Sequence, residues 1–191
     1  MITDLKINAE RKRFYYEKGY WTEKTLGDVW ADRVASHPER TYVSDDQGSS
    51  YTYGEIDDKA ARLAAWLVEQ GVAPGDVVTF QMPTWAEFCI VYVAALKAGA
   101  VMHPLPRNFN DADLVYGMNL VGSRAFICPT KVAKVDFESQ ILSIVDQIPT
   151  LGPVALVDKA APKHSELPTV AEICARYEPI EYPPPPSRLT T

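Results

Sequence analysis

The residues best placed to do chemistry are Arg107 and Asn108, with Phe109 beside them. They stand just beyond a predicted strand and just before a helix start capped by Asn110. In an open α/β sheet, ligands favour the crevice outside the carboxyl ends of the strands. An arginine there, next to the amide-rich start of a helix, suits a phosphate or a carboxylate, because the guanidinium offers either one a planar two-point fork. Other ionisable groups are less suggestive. Asp45-Asp46 reads as a turn and Asp57-Asp58 as a helix face, with no partner at metal-ligand spacing. His37, His103 and His164 are dispersed, and an isolated histidine without a motif partner carries little catalytic information. Cys89, Cys128 and Cys174 are widely spaced in apolar surroundings and read as reduced core thiols.

What is missing matters as much. A nucleotide site on a strand-helix sheet needs a Gly-rich turn, since only glycine lets backbone amides approach a phosphate closely. The turns Met82-Pro-Thr84, Pro104 to Asn110 and Cys128-Pro-Thr130 carry proline and bulky residues, and neither GxGxxG nor GxxxxGK[ST] occurs. GxSxG and HExxH are absent too.

The elements that must position Arg107 follow from periodicity. Thr25 caps a helical pattern in which Leu26, Val29, Trp30 and Val34 share a face, ended by His37-Pro38. Two β-prone runs, Thr41 to Ser44 and Ser49 to Thr52, flank Asp45-Asp-Gln-Gly48 and predict a hairpin. Thr52 and Glu55 form a capping box before Ile56, Ala60, Leu63, Ala64 and Leu67, with Gly71 as the stop. Thr84 and Glu87 predict a second box, before a helix stopped at Gly99. Asn110 and Asp113 predict a third, before a helix ending near Gly122. A fourth helical pattern spans Val135 to Ile148, and Thr169 to Tyr177 predicts a short helix. The apolar runs Val77–Met82, Val101–His103, Ala125–Cys128 and Val154–Val157 between them read as neighbouring strands. This alternation predicts an α/β fold, a largely parallel sheet flanked by helices, with an N-terminal helix and a β-hairpin. Tyr182-Pro-Pro-Pro-Pro186 reads as extended polyproline.

With 191 residues, 47% of them apolar and 23% charged, the composition is that of a globular domain with one core. The net charge of −6 and the lack of a Lys/Arg stripe argue against nucleic acid as a partner. Phe88 to Ala100 is too short for the ~20 residues of a bilayer span, and the N-terminus has no apolar signal core, so a cytoplasmic location is expected.

Read in order, several segments resemble the opening of the AMP-forming acyl-CoA synthetases in the adenylate-forming ligase superfamily. They are Thr25-Leu-Gly-Asp-Val-Trp30, Pro38-Glu-Arg-Thr-Tyr-Val43, Ser50-Tyr-Thr-Tyr-Gly-Glu-Ile-Asp57, Gly71-Val-Ala-Pro-Gly-Asp-Val-Val78 and Ala94-Ala-Leu-Lys-Ala-Gly-Ala-Val101 leading into Pro104-Leu-Pro. The likeness covers roughly Trp21 to Val157. Arg11-Lys-Arg-Phe-Tyr-Tyr-Glu-Lys-Gly-Tyr-Trp21 is most similar to the branch acting on short- or medium-chain and alicyclic acids.

The resemblance implies two steps: ATP and a carboxylate give an acyl-adenylate plus pyrophosphate, then the CoA thiol displaces AMP, with Mg2+ assisting the first step. It implies that residues 1–20 are an N-terminal extension, 21–180 an α/β subdomain of the ligase large domain, and 181–191 a Pro-rich linker cut before the phosphate-binding loop. The catalytic residues and the acyl and ATP pockets would then lie downstream. The 191 residues are expected to be inactive alone, with no tightly bound cofactor and with the rest of the polypeptide as their partner. Some relatives place an arginine at the position of Arg107 against the CoA phosphates, so Arg107, with Asn108 and Phe109, is the candidate CoA-phosphate contact. The alternative is a stand-alone, non-catalytic α/β interaction or regulatory domain.

Overall fold

A computed structural model describes residues 8–157, 159, 162 and 166–181. The first described element is α1 (Ala9–Glu17), started by the Asn8 side chain, which accepts from the Glu10 and Arg11 amides. Next come α2 (Leu26–Ser36) and an antiparallel hairpin of β1 (Thr41–Ser44) and β2 (Ser50–Thr52). The hairpin runs straight into α3 (Tyr53–Glu69), whose Thr52–Glu55 capping box forms as expected. Gly71 follows α3 at φ 85°, a left-handed turn that a side chain would strain.

Three strand-helix units then build the sheet. They are β3 (Val77–Gln81) with α4 (Ala86–Lys97), β4 (Val101–Leu105) with α5 (Asp111–Val121), and β5 (Ser123–Pro129) with a small hairpin, β6 (Lys131–Val132) and β7 (Val135–Asp136), before α6 (Phe137–Ile144). A 3-10 turn over Val145–Gln147 leads to β8 (Val154–Val157), and α7 (Val170–Arg176) closes the fold. The four expected strands are neighbours in one parallel sheet, in the order β4-β3-β5-β8. Pro104, which cannot donate to a ladder, sits in the edge strand β4, where that is tolerated.

Alternation along the strands divides the core into two layers. Val78, Phe80, Ala125, Ile127, Ala155 and Val157 pack against α3, α4 and α7. Phe126, Cys128, Val154 and Leu156 pack against α5 and α6 through Leu114, Met118, Phe137, Ile141 and Ile144. Burial pushes the Cys128 thiol well up, and all three cysteines are free thiols.

Two local expectations are corrected. The Thr84–Glu87 box does not form: Trp85 occupies the cap position of α4 without a side-chain bond. The first amide of α4, on Ala86, donates instead to Asp45 Oδ2 at 3.0 Å. The helix expected from Val135 starts at Phe137, because Val135 and Asp136 pair back onto Lys131 and Val132 and Asp136 becomes the cap, accepting from the Ser139 amide. In α2, Trp30 is 9% exposed, whereas Leu26 and Val29 remain 52% and 43% exposed. Trp30 is drawn in because its Nε1 donates to Asp57 Oδ1 on α3 at 2.7 Å. His164 and the Pro-rich stretch after Glu181 lie outside the described residues.

Candidate functional site

In a parallel sheet all strands end on the same edge, so the segments that follow them converge there. The segments leaving β3, β4, β5 and β8 supply Trp85, Arg107, Lys131 and Lys159 to one crevice of about 410 Å3, joined by Asp46 from the hairpin turn. Arg107 also lines an adjoining cavity of about 430 Å3 with Asn108, Lys134 and Phe137. It therefore stands on the rim shared by both.

The turn that carries Arg107 is well defined. The Phe109 amide donates to the Pro106 carbonyl at 3.2 Å, which makes Arg107 and Asn108 the two central residues of a β-turn. Both side chains are exposed, and Phe109 turns inward against Leu105, Leu114 and their layer. Asn110 caps α5 by accepting from the Asp113 amide at 3.0 Å. Asp111 and Asp113 lie in the first turn of α5, where their charge offsets the helix dipole.

The three cations in the crevice are not equivalent. Lys159 is committed: its Nζ lies 3.0 Å from Glu87 Oε1 and 3.7 Å from Asp45 Oδ2, and donates to Ser49 Oγ at 2.6 Å. It also sits over the Trp85 ring, 5.6 Å from the centroid. Tyr51 donates to Glu87 Oε1, and burial, then the Glu87 charge, push its phenol above the usual value. Lys159 is thus a strut between the hairpin, the start of α4 and the segment after β8. Arg107 and Lys131, by contrast, are exposed and form no ion pair with any described residue. Two cations with no ion-pair partner among the described residues, across a crevice at the sheet edge, are suited to an anion carried on a larger molecule.

Lys131, Lys134 and Lys159 were not singled out in the sequence. Lys131 follows Cys128-Pro-Thr130 directly, so its position after a predicted strand was the available signal. Lys134 was hidden by a helical reading of its neighbours. Lys159 lies in an irregular stretch where only the fold shows what it meets. Asp45 and Asp57, read as turn and helix face, are specific structural anchors: Asp45 caps α4, and Asp57 accepts from Lys97 Nζ at 2.8 Å. A larger cavity lies elsewhere, between α5 and α6. That open groove of about 1010 Å3 is lined mainly by Val115, Tyr116, Leu120 and Ile144, and no cluster of charged groups converges on it, so the basic crevice is the better candidate site.

Comparison with known proteins agrees with the fold. A medium-chain fatty-acid–CoA ligase of Escherichia coli is 36% identical over 167 residues, covering 87% of this chain and 30% of the relative. A salicyl-AMP ligase / salicyl-S-ArCP synthetase of Mycobacterium tuberculosis is 28% identical over 172 residues, again covering 30% of its own length. The chain thus spans about 30% of the length of these relatives. Among solved structures, apo MbtA of Mycobacterium smegmatis superposes with a TM-score of 0.76 at 27% identity, over 94% of this chain and 33% of that one. A benzoate CoA ligase from Burkholderia xenovorans gives 0.65 over 82% of this chain and 29% of that one, and at 20% identity speaks to the fold alone. The profile of the AMP-binding enzyme family matches residues 30–189, and with it the parallel sheet takes its place as an N-terminal portion of an adenylate-forming ligase: the chain belongs to the AMP-binding enzyme family.

Proposed function

We propose that the whole protein is an acyl-CoA synthetase. It activates a carboxylic acid with ATP and Mg2+ to an acyl-adenylate, releasing pyrophosphate, and then passes the acyl group to the thiol of CoA, releasing AMP. In this reading residues 21–180 are the α/β subdomain, 1–20 an extension and 181–191 a linker toward the rest of the ligase. The 36% identity to a CoA ligase favours CoA over the carrier-protein thiol implied by the salicyl ligase's name. No described helix is long and apolar enough to cross a membrane, and a cytoplasmic location remains part of the proposal.

The observation that carries the proposal is Arg107, which pairs with no described acidic residue and faces the crevice together with Lys131 at the carboxyl edge of the sheet. Its guanidinium would meet a phosphate of CoA. Asn108, the other exposed residue of the turn, is the adjacent donor, and Phe109 anchors the turn in the core. Neither GxGxxG nor GxxxxGK[ST] occurs in the sequence, so the 191 residues alone are expected to give only background in pyrophosphate exchange.

The test uses the full-length enzyme. Arg107→Ala should remove a charge-assisted contact worth about 1.5 to 3 kcal/mol, raising the CoA KM roughly ten- to hundredfold. Adenylation should barely change, since CoA has not yet entered. Arg107→Lys should restore only part of the loss, because an ammonium lacks the planar fork. An unchanged CoA KM in Arg107→Ala would overturn the assignment.

A further inference from the structure

The turn that presents Arg107 is held at both ends by glutamines that have no role in the site as described so far. Gln81, the last residue of β3, is fully buried and donates from Nε2 to the Pro106 carbonyl at 2.9 Å. That carbonyl is the one that closes the turn, and it already accepts from the Phe109 amide. Gln140, on α6, donates from Nε2 to the Phe109 carbonyl at 3.4 Å and to Asp111 Oδ1 at 2.8 Å. One glutamine therefore grips the residue before Arg107-Asn108 and the other grips the residue after them.

Both amides make these contacts at a cost. Gln81 Oε1 and Gln140 Oε1 are buried, and no hydrogen-bond donor among the described residues meets either one. The amide orientation is dictated by the partners: each Nε2 faces oxygens only, so turning the group over would set oxygen against oxygen. A buried acceptor left unmet lowers stability, and an apolar side chain of the same length would avoid the loss. The glutamines thus offer the turn a donor from each side while weakening the local fold.

We propose that Gln81 and Gln140 are positioning residues for Arg107, together fixing the Pro106–Phe109 turn so that the guanidinium is presented at the mouth of the crevice. The inference rests on the proposed contact between Arg107 and a CoA phosphate. Gln81 reaches the turn from the adjacent strand, since it pairs in register with Leu105, and Gln140 reaches it from the helix on the α5 side of the sheet. The arginine is anchored through its backbone, which leaves its side chain free for ligand. Neither glutamine touches the ligand itself.

The experiment uses the full-length enzyme with Gln81→Met and Gln140→Met, each alone and each combined with Arg107→Ala. Methionine matches glutamine in length but neither donates nor leaves an acceptor unmet. Each single variant should raise the CoA KM roughly three- to tenfold, with kcat and pyrophosphate exchange held and the melting temperature within a degree or two of the parent. In the Arg107→Ala background the same substitutions should change the CoA KM no further, since the group they position is gone. If Arg107→Ala raises the CoA KM and both methionine variants leave it unchanged, the positioning role is overturned while the CoA contact stands. If Arg107→Ala has no effect, the contact itself fails. A CoA KM rise of equal size with or without Arg107, or a lowered melting temperature with both half-reactions impaired, would make the glutamines structural supports and sink the proposal. Gln140 is half-buried, so its variant reads out the same turn if Gln81→Met does not fold.

Discussion

The carboxylate of Asp45, in the hairpin turn, accepts the first backbone amide of α4, on Ala86, at 3.0 Å. The same carboxylate accepts from the Gln47 amide at 3.0 Å and the Ser49 amide at 2.9 Å. A hairpin turn 41 residues upstream thus does the work that a local N-cap would do. It joins the β1–β2 hairpin to the start of α4, beside the crevice.

Removing that carboxylate should loosen both ends of the link. Asp45→Ala is expected to lower the melting temperature by about 2 to 4 °C, the shift that loss of one helix cap produces in a domain of this size. Asp45→Asn keeps an acceptor oxygen and should cost less. The Ala86 amide, then those of Ser49 and Gln47 and the Lys159 charge, hold the Asp45 carboxyl below its ordinary 3.8 against an opposing effect of burial. A depressed carboxyl contributes stability above the unfolded value that disappears as pH falls through the folded one. Asp45→Asn should therefore melt with a shallower acid dependence below about pH 4 than the parent, and identical profiles would dismiss the linkage.

This contact also shows where sequence reading stops. Strands, helices and the layer order were legible because each depends on local period and local caps: Thr25, Thr52, Asn110 and Thr169 all cap as their spacing implies. The Thr84–Glu87 box had the same spacing and failed, because a distant carboxylate took the amide and left Glu87 to Lys159. Val135 likewise fitted a helical period until pairing with Val132 outweighed it. Arg107 could be placed from sequence at a strand end. Its companions Lys131 and Lys159 are separated from it by whole elements, and only the parallel sheet brings them to one edge.

A second long-range contact supports the α2–α3–α4 layer. Lys97 has only 8% of its side chain exposed, and its Nζ lies 2.8 Å from Asp57 Oδ1, which also accepts from Trp30 Nε1. Asp57→Ala would take from a largely buried ammonium and an indole donor the carboxylate they share. Since Asp57 is itself 27% exposed, a loss of about 2 kcal/mol is expected, less than the 3 to 5 of a wholly buried pair. Adding Lys97→Met should recover much of it, because the ammonium that the carboxylate neutralised leaves too. Urea unfolding of the four proteins in the cycle would check this, and strictly additive losses would count against it.

His103 couples the edge strand to pH. Its Nδ1 is 3.0 Å from Thr79 Oγ1, which lies 2.5 Å from Ser123 Oγ, a polar chain across the α5 face of the sheet. Burial lowers the His103 pKa below its ordinary 6.5, so the folded state resists protonation. The penalty is absent above about pH 6.5, grows as pH falls and levels off below the folded value. His103→Gln should accordingly flatten the fall in the urea midpoint between pH 7.5 and 5.5. An undiminished fall in the variant would assign it to other groups.

The last prediction concerns Ala133, which takes φ 52° in the turn between β6 and β7 and lines both cavities beside Arg107. A left-handed conformation costs an L-residue roughly 1 to 2 kcal/mol, because Cβ crowds the following carbonyl oxygen. Glycine avoids that cost, although its freer unfolded chain gives back about 0.4 to 1 kcal/mol. Ala133→Gly should therefore stabilise the protein by roughly 0.5 to 1 kcal/mol, a rise of about 2 °C in melting temperature. Ala133→Val should go the other way, since a second branch at Cβ crowds the same carbonyl further. Thermal melts of the two variants separate strain from mere turn flexibility: strain requires the order Gly above Ala above Val. A melting temperature that falls with glycine would show that chain entropy, and not the left-handed backbone, governs the hairpin that carries Lys131 to the crevice and Lys134 to the adjoining cavity.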